Sequence, residues 1–171
     1  MGLQIEKLAG WLNDEAVPAG GLGPREGHRL ETRHLEDSLL YAGGWDQPPP
    51  DCVDLGSGVG LPGLVLAVVW PSTEMTLVDR SSKRCDLARR AARVAGIPVR
   101  IVESDVFALI EVFSAIVSRA AIPAQKLRPV LDRLLAPGGR AVVSGDGGPV
   151  DGYRTLEVLD RPTRLLMMQK S

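Results

Sequence analysis

Ten residues, DLGSGVGLPG from Asp54 to Gly63, constrain this chain more than any other stretch. They follow the short apolar run CVDL and lead into LVLAVVW, so a strand turns sharply into a buried helix. Gly56, Gly58 and Gly60 let a backbone turn tightly and pass close to a ligand where a β-carbon would intrude. The pattern reads as a nucleotide-containing cofactor site, with a purely structural strand-to-helix turn as the alternative. Because no Gly-Lys-Ser or Gly-Lys-Thr follows, a triphosphate-binding P-loop is disfavoured.

The rest of the chain repeats this strand-to-helix rhythm. EMTLVD at 74–79 predicts a second strand, a Ser81 or Ser82 cap opens a helix to about 95, and 99–103 predicts a third strand. Two more strands are expected at 114–118 and 140–144, with a helix over 123–135 between them. Such alternation implies an α/β fold whose mainly parallel sheet is covered on both faces. YRTLEVL and TRLLMMQ, flanking Asp160-Arg161-Pro162, read as an antiparallel pair closing the sheet.

Upstream, LQIEKLAGWL predicts a short helix, interrupted by Gly10, with Leu3, Lys7, Leu8, Trp11 and Leu12 near one side. PAGGLGPREG at 18–27 reads as a loop, 30–41 as a second helix and 45–50 as a stiff connection. Residues 1–50 are thus expected to form a helical appendage and residues 51–171 the core.

Composition limits the function classes. The 171 residues carry 20 Lys plus Arg against 21 Asp plus Glu, a formal charge of −1, and 44% are hydrophobic. That suits one domain with a real core and excludes a strongly basic, tail-driven nucleic-acid binder, while leaving room for a local basic patch. Cys52 and Cys85 lie far apart with no CxxC pair, which reads as reduced thiols and gives no structural zinc site. No basic-then-apolar leader opens the sequence, and the densest apolar run, 64–70, falls well short of the roughly 20 residues of a membrane span. The expectation is a cytoplasmic monomer with no membrane or metal site.

Asp79 ends the second strand, where a carboxylate can accept both hydrogen bonds of a ribose diol; a strand-end turn residue is the alternative. Asp105, after the third strand, is placed either to meet an adenine amino group or to cap a helix. Asp54, just before the glycines, can position an amino-acid moiety or organise the loop.

RHLEDSL at 33–39, DLGSGVGLPGLVLA at 54–67, TLVDRSSKR at 76–84 and VSRA at 117–120 together resemble, in the same order, the RsmG or GidB family of class I S-adenosylmethionine-dependent methyltransferases. The resemblance covers most of residues 30–145 and implies a Rossmann-like, seven-stranded sheet. It implies methyl transfer from S-adenosylmethionine to guanine N7 in 16S ribosomal RNA, with that RNA or the small ribosomal subunit as partner. Gly56, Ser57, Gly58 and Gly60 would surround the methionine end of the cofactor and Asp79 would hold its ribose. His34, Asp37 and Ser38 would shape the cleft, with Arg119 near cofactor and RNA. The chain departs from the family where Arg-Ala-Glu after strand three becomes Asp105-Val106-Phe107, and where Lys-Gly after strand five becomes Ser144-Gly145.

Guanine N7 carries an available lone pair, so alignment with the methyl group suffices and no catalytic base is assigned. Arg33, Arg80, Lys83, Arg84 and Arg119 are the candidate RNA contacts, all but Arg119 set within the wider groups Arg25, Arg29, Arg33 and Arg80 to Arg93. A solvated helix face is the alternative for the second group. Only 4% of residues are aromatic, which disfavours a long stacking platform for single strands. Methylation of another RNA or a small molecule, or noncatalytic cofactor binding on RNA or the ribosome, stand as alternatives.

Overall fold

A computed structural model describes residues 2–20, 34–119, 121–144, 150–159 and 165–170. Seven strands form one sheet: β1 (Asp51–Leu55), β2 (Glu74–Asp79), β3 (Arg100–Glu103), β4 (Phe113–Arg119), β5 (Leu135–Ser144), β6 (Tyr153–Leu159) and β7 (Leu165–Lys170). Their order is β3-β2-β1-β4-β5-β7-β6. The pairs β1·β2, β2·β3, β1·β4 and β4·β5 are parallel, while β7 runs antiparallel to both β5 and β6. The expected α/β class, the mainly parallel sheet and the closing antiparallel pair are all present.

The helices are α1 (Gly2–Trp11), α2 (Leu35–Leu40), α3 (Gly63–Val69), α4 (Ser82–Ala95) and α5 (Ala124–Leu134). A π-helical turn, Leu12–Ala16, extends α1, and a 3-10 turn, Tyr41–Gly44, extends α2. Apolar side chains alternate across the pleat, so the sheet feeds two cores. One holds Cys52, Leu77, Val117 and Val142 with α3 and α4; the other holds Val53, Val78, Ile116 and Ala141 with α5. Helix α3 is buried on nearly every side, as the unbroken apolar run GLVLAVV requires.

Leu8, Trp11 and Leu12 enter the first core, but Leu3 is 64% exposed and Lys7 faces solvent. The apolar stripe of α1 is narrower than its sequence suggests, because the buried residues follow one another within the last turn. Strand β5 also begins earlier than the 140–144 expected. Its register with β4 jumps from Phe113↔Leu135 to Ala115↔Arg140, leaving 136–139 as a bulge. Pro137 has no N–H to donate there, and Gly138 adopts φ +73°. The expected helix over 30–41 is described from Leu35, and its earlier part lies outside the described residues.

Candidate active site

Strand order reverses between β1 and β4, and the site is built over the carboxyl ends of these strands. The glycine-rich turn leaves β1 and is tied to the end of β2. Gly56 N–H and Ser57 N–H both donate to Val78 O, at 2.8 and 3.0 Å, and Gly58 N–H donates to Asp79 Oδ2 at 2.9 Å. Gly56 has φ +72°, and a β-carbon there would collide with the Ala121 side chain. Gly58 has φ +60°, yet a β-carbon there would meet nothing within 4 Å. That open space, beside a backbone only glycine adopts freely, is the cradle a close-approaching ligand needs.

Asp79 is 4% exposed, and its other oxygen accepts the Ser81 N–H at 2.9 Å. The carboxylate therefore joins the β1 turn to the start of α4. Each oxygen retains a second acceptor direction, and the residue still lines a cleft of about 330 Å³. Gly56, Arg80, Arg84, Asp105, Phe107 and Pro123 line it too. The volume lies at the lower end of the range for small-molecule sites. Arg84 Nη1 stands 3.9 Å from Asp79 Oδ2 and is 56% exposed, a weak, screened contact. Asp105 Oδ1 accepts the Phe107 N–H at 2.8 Å, which turns the chain after β3 along the cleft.

Asp54 is fully buried. Its Oδ2 accepts the Gly63 N–H at 2.7 Å, while Oδ1 has no hydrogen-bond partner among the described residues. Burial pushes its pKa up to about 7, against the opposing pull of the Gly63 hydrogen bond and the Arg119 charge. Gly63, in the Leu-Pro-Gly extension, was not among the expected site residues. It packs so closely on Leu77 and Asp54 that a side chain would clash with both.

The register explains what gathers on this face. Asp54 lies opposite Val117, Val117 opposite Val142, and Arg119 opposite Ser144, so Asp54, Arg119 and Ser144 share one side of the sheet. The end of α2 and its 3-10 extension cover that side, with Gly44 packed directly on Val142. Arg119 Nη1 lies 3.2 Å from His34 Nδ1, a contact in which the guanidinium donates and the ring nitrogen accepts. Ser38 is buried and donates to His34 O at 2.6 Å, so it fixes the helix entry. Asp37, half-buried, helps raise the Tyr41 pKa.

Tyr41 is the residue that sequence reasoning missed. Its side chain is 1% exposed and its hydroxyl has no well-formed hydrogen bond among the described residues, although Ser144 lies close enough to influence it. Burial raises the phenol pKa to about 12, opposed by Ser144 and Arg119 and reinforced by Asp54 and Asp37. Tyr41 Oη and Asp54 Oδ1 are the buried side-chain atoms left without a partner among the described residues. The only sequence signal was an aromatic residue shortly after RHLEDSL.

The basic set divides in the structure. Arg89 pairs with Asp86 at 2.7 Å and Arg90 with Glu15 at 3.1 Å, as on an ordinary solvated helix face. Arg80 is exposed and lines the cleft just before α4, Lys83 is exposed on the first turn of α4 but lies with Asp86, Arg89 and Arg90 along a separate hollow, and Arg33 lies outside the described residues. Among the described residues there is no group of three metal-ligating side chains, and no helix is long and apolar enough to cross a membrane.

A parallel sheet with an inserted antiparallel β7, a glycine-rich turn after β1 and an acid ending β2 defines the fold of the class I S-adenosylmethionine-dependent methyltransferases. Solved structures with this fold include a mutant of MtNAS in complex with S-adenosylmethionine (TM-score 0.69, 20% identity, covering 100% of this chain and 73% of that one). Another is an RNA methyltransferase from Salinibacter ruber in complex with S-adenosyl-L-homocysteine (TM-score 0.64, 23% identity, 79% and 88% covered).

Within that class, residues 4–145 match the GidB family, described as rRNA small subunit methyltransferase G, and the chain belongs to that family. Relatives named ribosomal RNA small subunit methyltransferase G include those of Mycobacterium marinum, 33% identical over 84% of this chain, and Rhizorhabdus wittichii, 32% identical over 82%. The matches span 65% and 70% of those relatives' own lengths, and 54% of the one from Mycobacterium leprae.

Proposed function

We propose that the chain transfers a methyl group from S-adenosylmethionine to guanine N7 of 16S ribosomal RNA, acting as a cytoplasmic monomer on that RNA or on the small ribosomal subunit. The observation that carries this reading is the open cradle at Gly58 with the Asp79 carboxylate beside it, in a chain of the GidB family.

The residues fit the cofactor. Gly56, Ser57, Gly58 and Gly60 would pass around its amino-acid end, and Asp79, with acceptor capacity to spare, would take the ribose hydroxyls. Asp105 would face the adenine. The unpartnered Asp54 Oδ1 marks a polar demand near the methionine end that the protein alone leaves unmet. When bound, the cofactor supplies an activated methyl group on a sulfonium.

The chain's own residues then need only place the base. N7 has no proton to remove, so Arg119 and His34 act by position and charge. His34 holds the guanidinium of Arg119 at the carboxyl end of β4. Ser38 keeps that helix end in place through its bond to His34 O, and Asp37 would help shape the cleft. Arg80, Lys83 and Arg84, with Arg33, would meet phosphates and so orient the RNA. In this scheme residues 51–171 are the cofactor-binding core, and residues 1–50 are the helical appendage that carries His34 to Arg119.

The deciding experiment incubates the purified chain with methyl-labelled S-adenosylmethionine and either naked 16S RNA or 30S subunits, then maps the label. Label at one guanine N7 is expected. Cofactor binding without transfer to either RNA form would overturn the assigned reaction.

A further inference from the structure

We propose that the hollow on the outer face of α4, ringed by Lys83, Arg89, Arg90 and Arg93, is a second contact site for the RNA backbone, separate from the cofactor cleft. The inference rests on the RNA reading above and adds to it a surface that grips phosphates away from the reacting base.

The hollow holds about 670 Å³ between α4 and the chain near Ala19, against about 330 Å³ for the cleft, and the two share no lining residue. They flank the first turn of α4, whose Arg84 lines the cleft and whose Lys83 lines the hollow. An RNA strand that passes Arg80 and Arg84 can therefore continue over Lys83.

Lys83, Arg89, Arg90 and Arg93 converge here with Asp86 as the acid of the lining. In a chain of formal charge −1 that excess is local, and a concave wall focuses its field on whatever enters. Arg89 is held by Asp86 at 2.7 Å and Arg90 by Glu15 at 3.1 Å, which a solvated helix face would also show. Lys83 and Arg93 break that pattern, because both are exposed and neither has a carboxylate within 4 Å among the described residues. They lie ten residues apart on α4, about 15 Å along its axis, a span that takes more than one phosphate. The existing pairs are weak obstacles, since Asp86 and Glu15 are 67% and 50% exposed.

Phosphate suits this lining better than protein or base. Leu87 is its large apolar residue and is 6% exposed, and none of the lining side chains is aromatic. The hollow thus offers neither the apolar anchor of a protein interface nor a face on which a base stacks. Its lysine and arginine donors fit a polyanion held by charge.

The test measures binding of 16S RNA and of 30S subunits to the full chain across a salt series, with S-adenosylhomocysteine affinity as the control on the cleft. Arg93→Glu should weaken RNA binding about tenfold, the scale of one charge-assisted hydrogen bond, and lower the salt slope by roughly one. S-adenosylhomocysteine affinity should not change, and Arg93→Lys should restore RNA binding. Asp86→Asn should act in the opposite sense and tighten RNA binding by releasing Arg89, which a merely structural ion pair would not do. Wild-type RNA affinity and slope in Arg93→Glu or in Asp86→Asn overturns the site. So does Arg93-dependent binding of polyglutamate that is tighter than that of RNA, which assigns the hollow to an acidic protein segment. If the wild-type chain binds neither RNA form, the substrate reading itself falls, and this inference with it.

Discussion

At the scale of single residues, the site is held by polar groups that the fold buries at a cost. Asp54 is the clearest case. With its folded pKa raised to about 7 from an ordinary carboxylate value of 3.8, the folded chain binds more protons than the unfolded chain between those two values. Its contribution is therefore most favourable below pH 4 and is lost as pH rises toward 7, by on the order of 4 kcal/mol. Asp54→Asn can still accept from Gly63 N–H and should remove that slope. Urea unfolding of both forms from pH 4 to 8 checks it, and parallel pH profiles would count against the buried charge. Tyr41→Phe tests the second unpartnered atom. Deleting a buried hydroxyl with no well-formed bond to lose among the described residues should leave the ligand-free chain unchanged or up to ~1 kcal/mol more stable by urea unfolding. A clear loss of stability would reveal a partner for that hydroxyl.

At the scale of elements, α4 shows how far local chemistry could be read in advance. Ser81 caps it, accepting the Arg84 N–H at 3.4 Å, and Gly96 ends it with φ +64°, its N–H donating to Ala92 O and Arg93 O. Serine before the run and glycine after it announce those ends. A β-carbon at Gly96 would touch nothing within 4 Å, so Gly96→Ala should cost only its left-handed backbone, about 1–2 kcal/mol, with cofactor affinity unchanged. Denaturant midpoints with an unaltered slope check this. The glycine turn, β2 and the β6·β7 pair were legible for the same reason: each carries its own punctuation. What escaped was set by tertiary contact. The bulge in β5 depends on pairing with β4, the exposure of Leu3 depends on which turn of α1 meets the core, and Tyr41 gained its role only when the register placed Asp54, Arg119 and Ser144 beneath it. Period and propensity carry no information about such neighbours.

At the scale of the whole molecule, the proposed reaction would require a formal charge of −1 to serve an RNA partner through local asymmetry. Arg80 and Arg84 would do this beside the cleft, with Lys83 close by on α4, whereas Arg89 and Arg90 are already matched by acids. Lys83→Ala should therefore lower the salt slope of RNA binding by roughly one and leave cofactor affinity intact, while Arg90→Ala should change the slope less. Binding isotherms across a salt series measure both. The sheet order has a consequence for synthesis. Strand β7 is made after β6 yet lies between β6 and β5. While the chain leaves the ribosome, β5 shows an open outer edge and β6 has no partner until 165–170 emerge. The nascent chain thus passes through a stage with unpaired apolar edges, in which chaperone cover or rapid closure by Leu165–Lys170 decides between folding and aggregation.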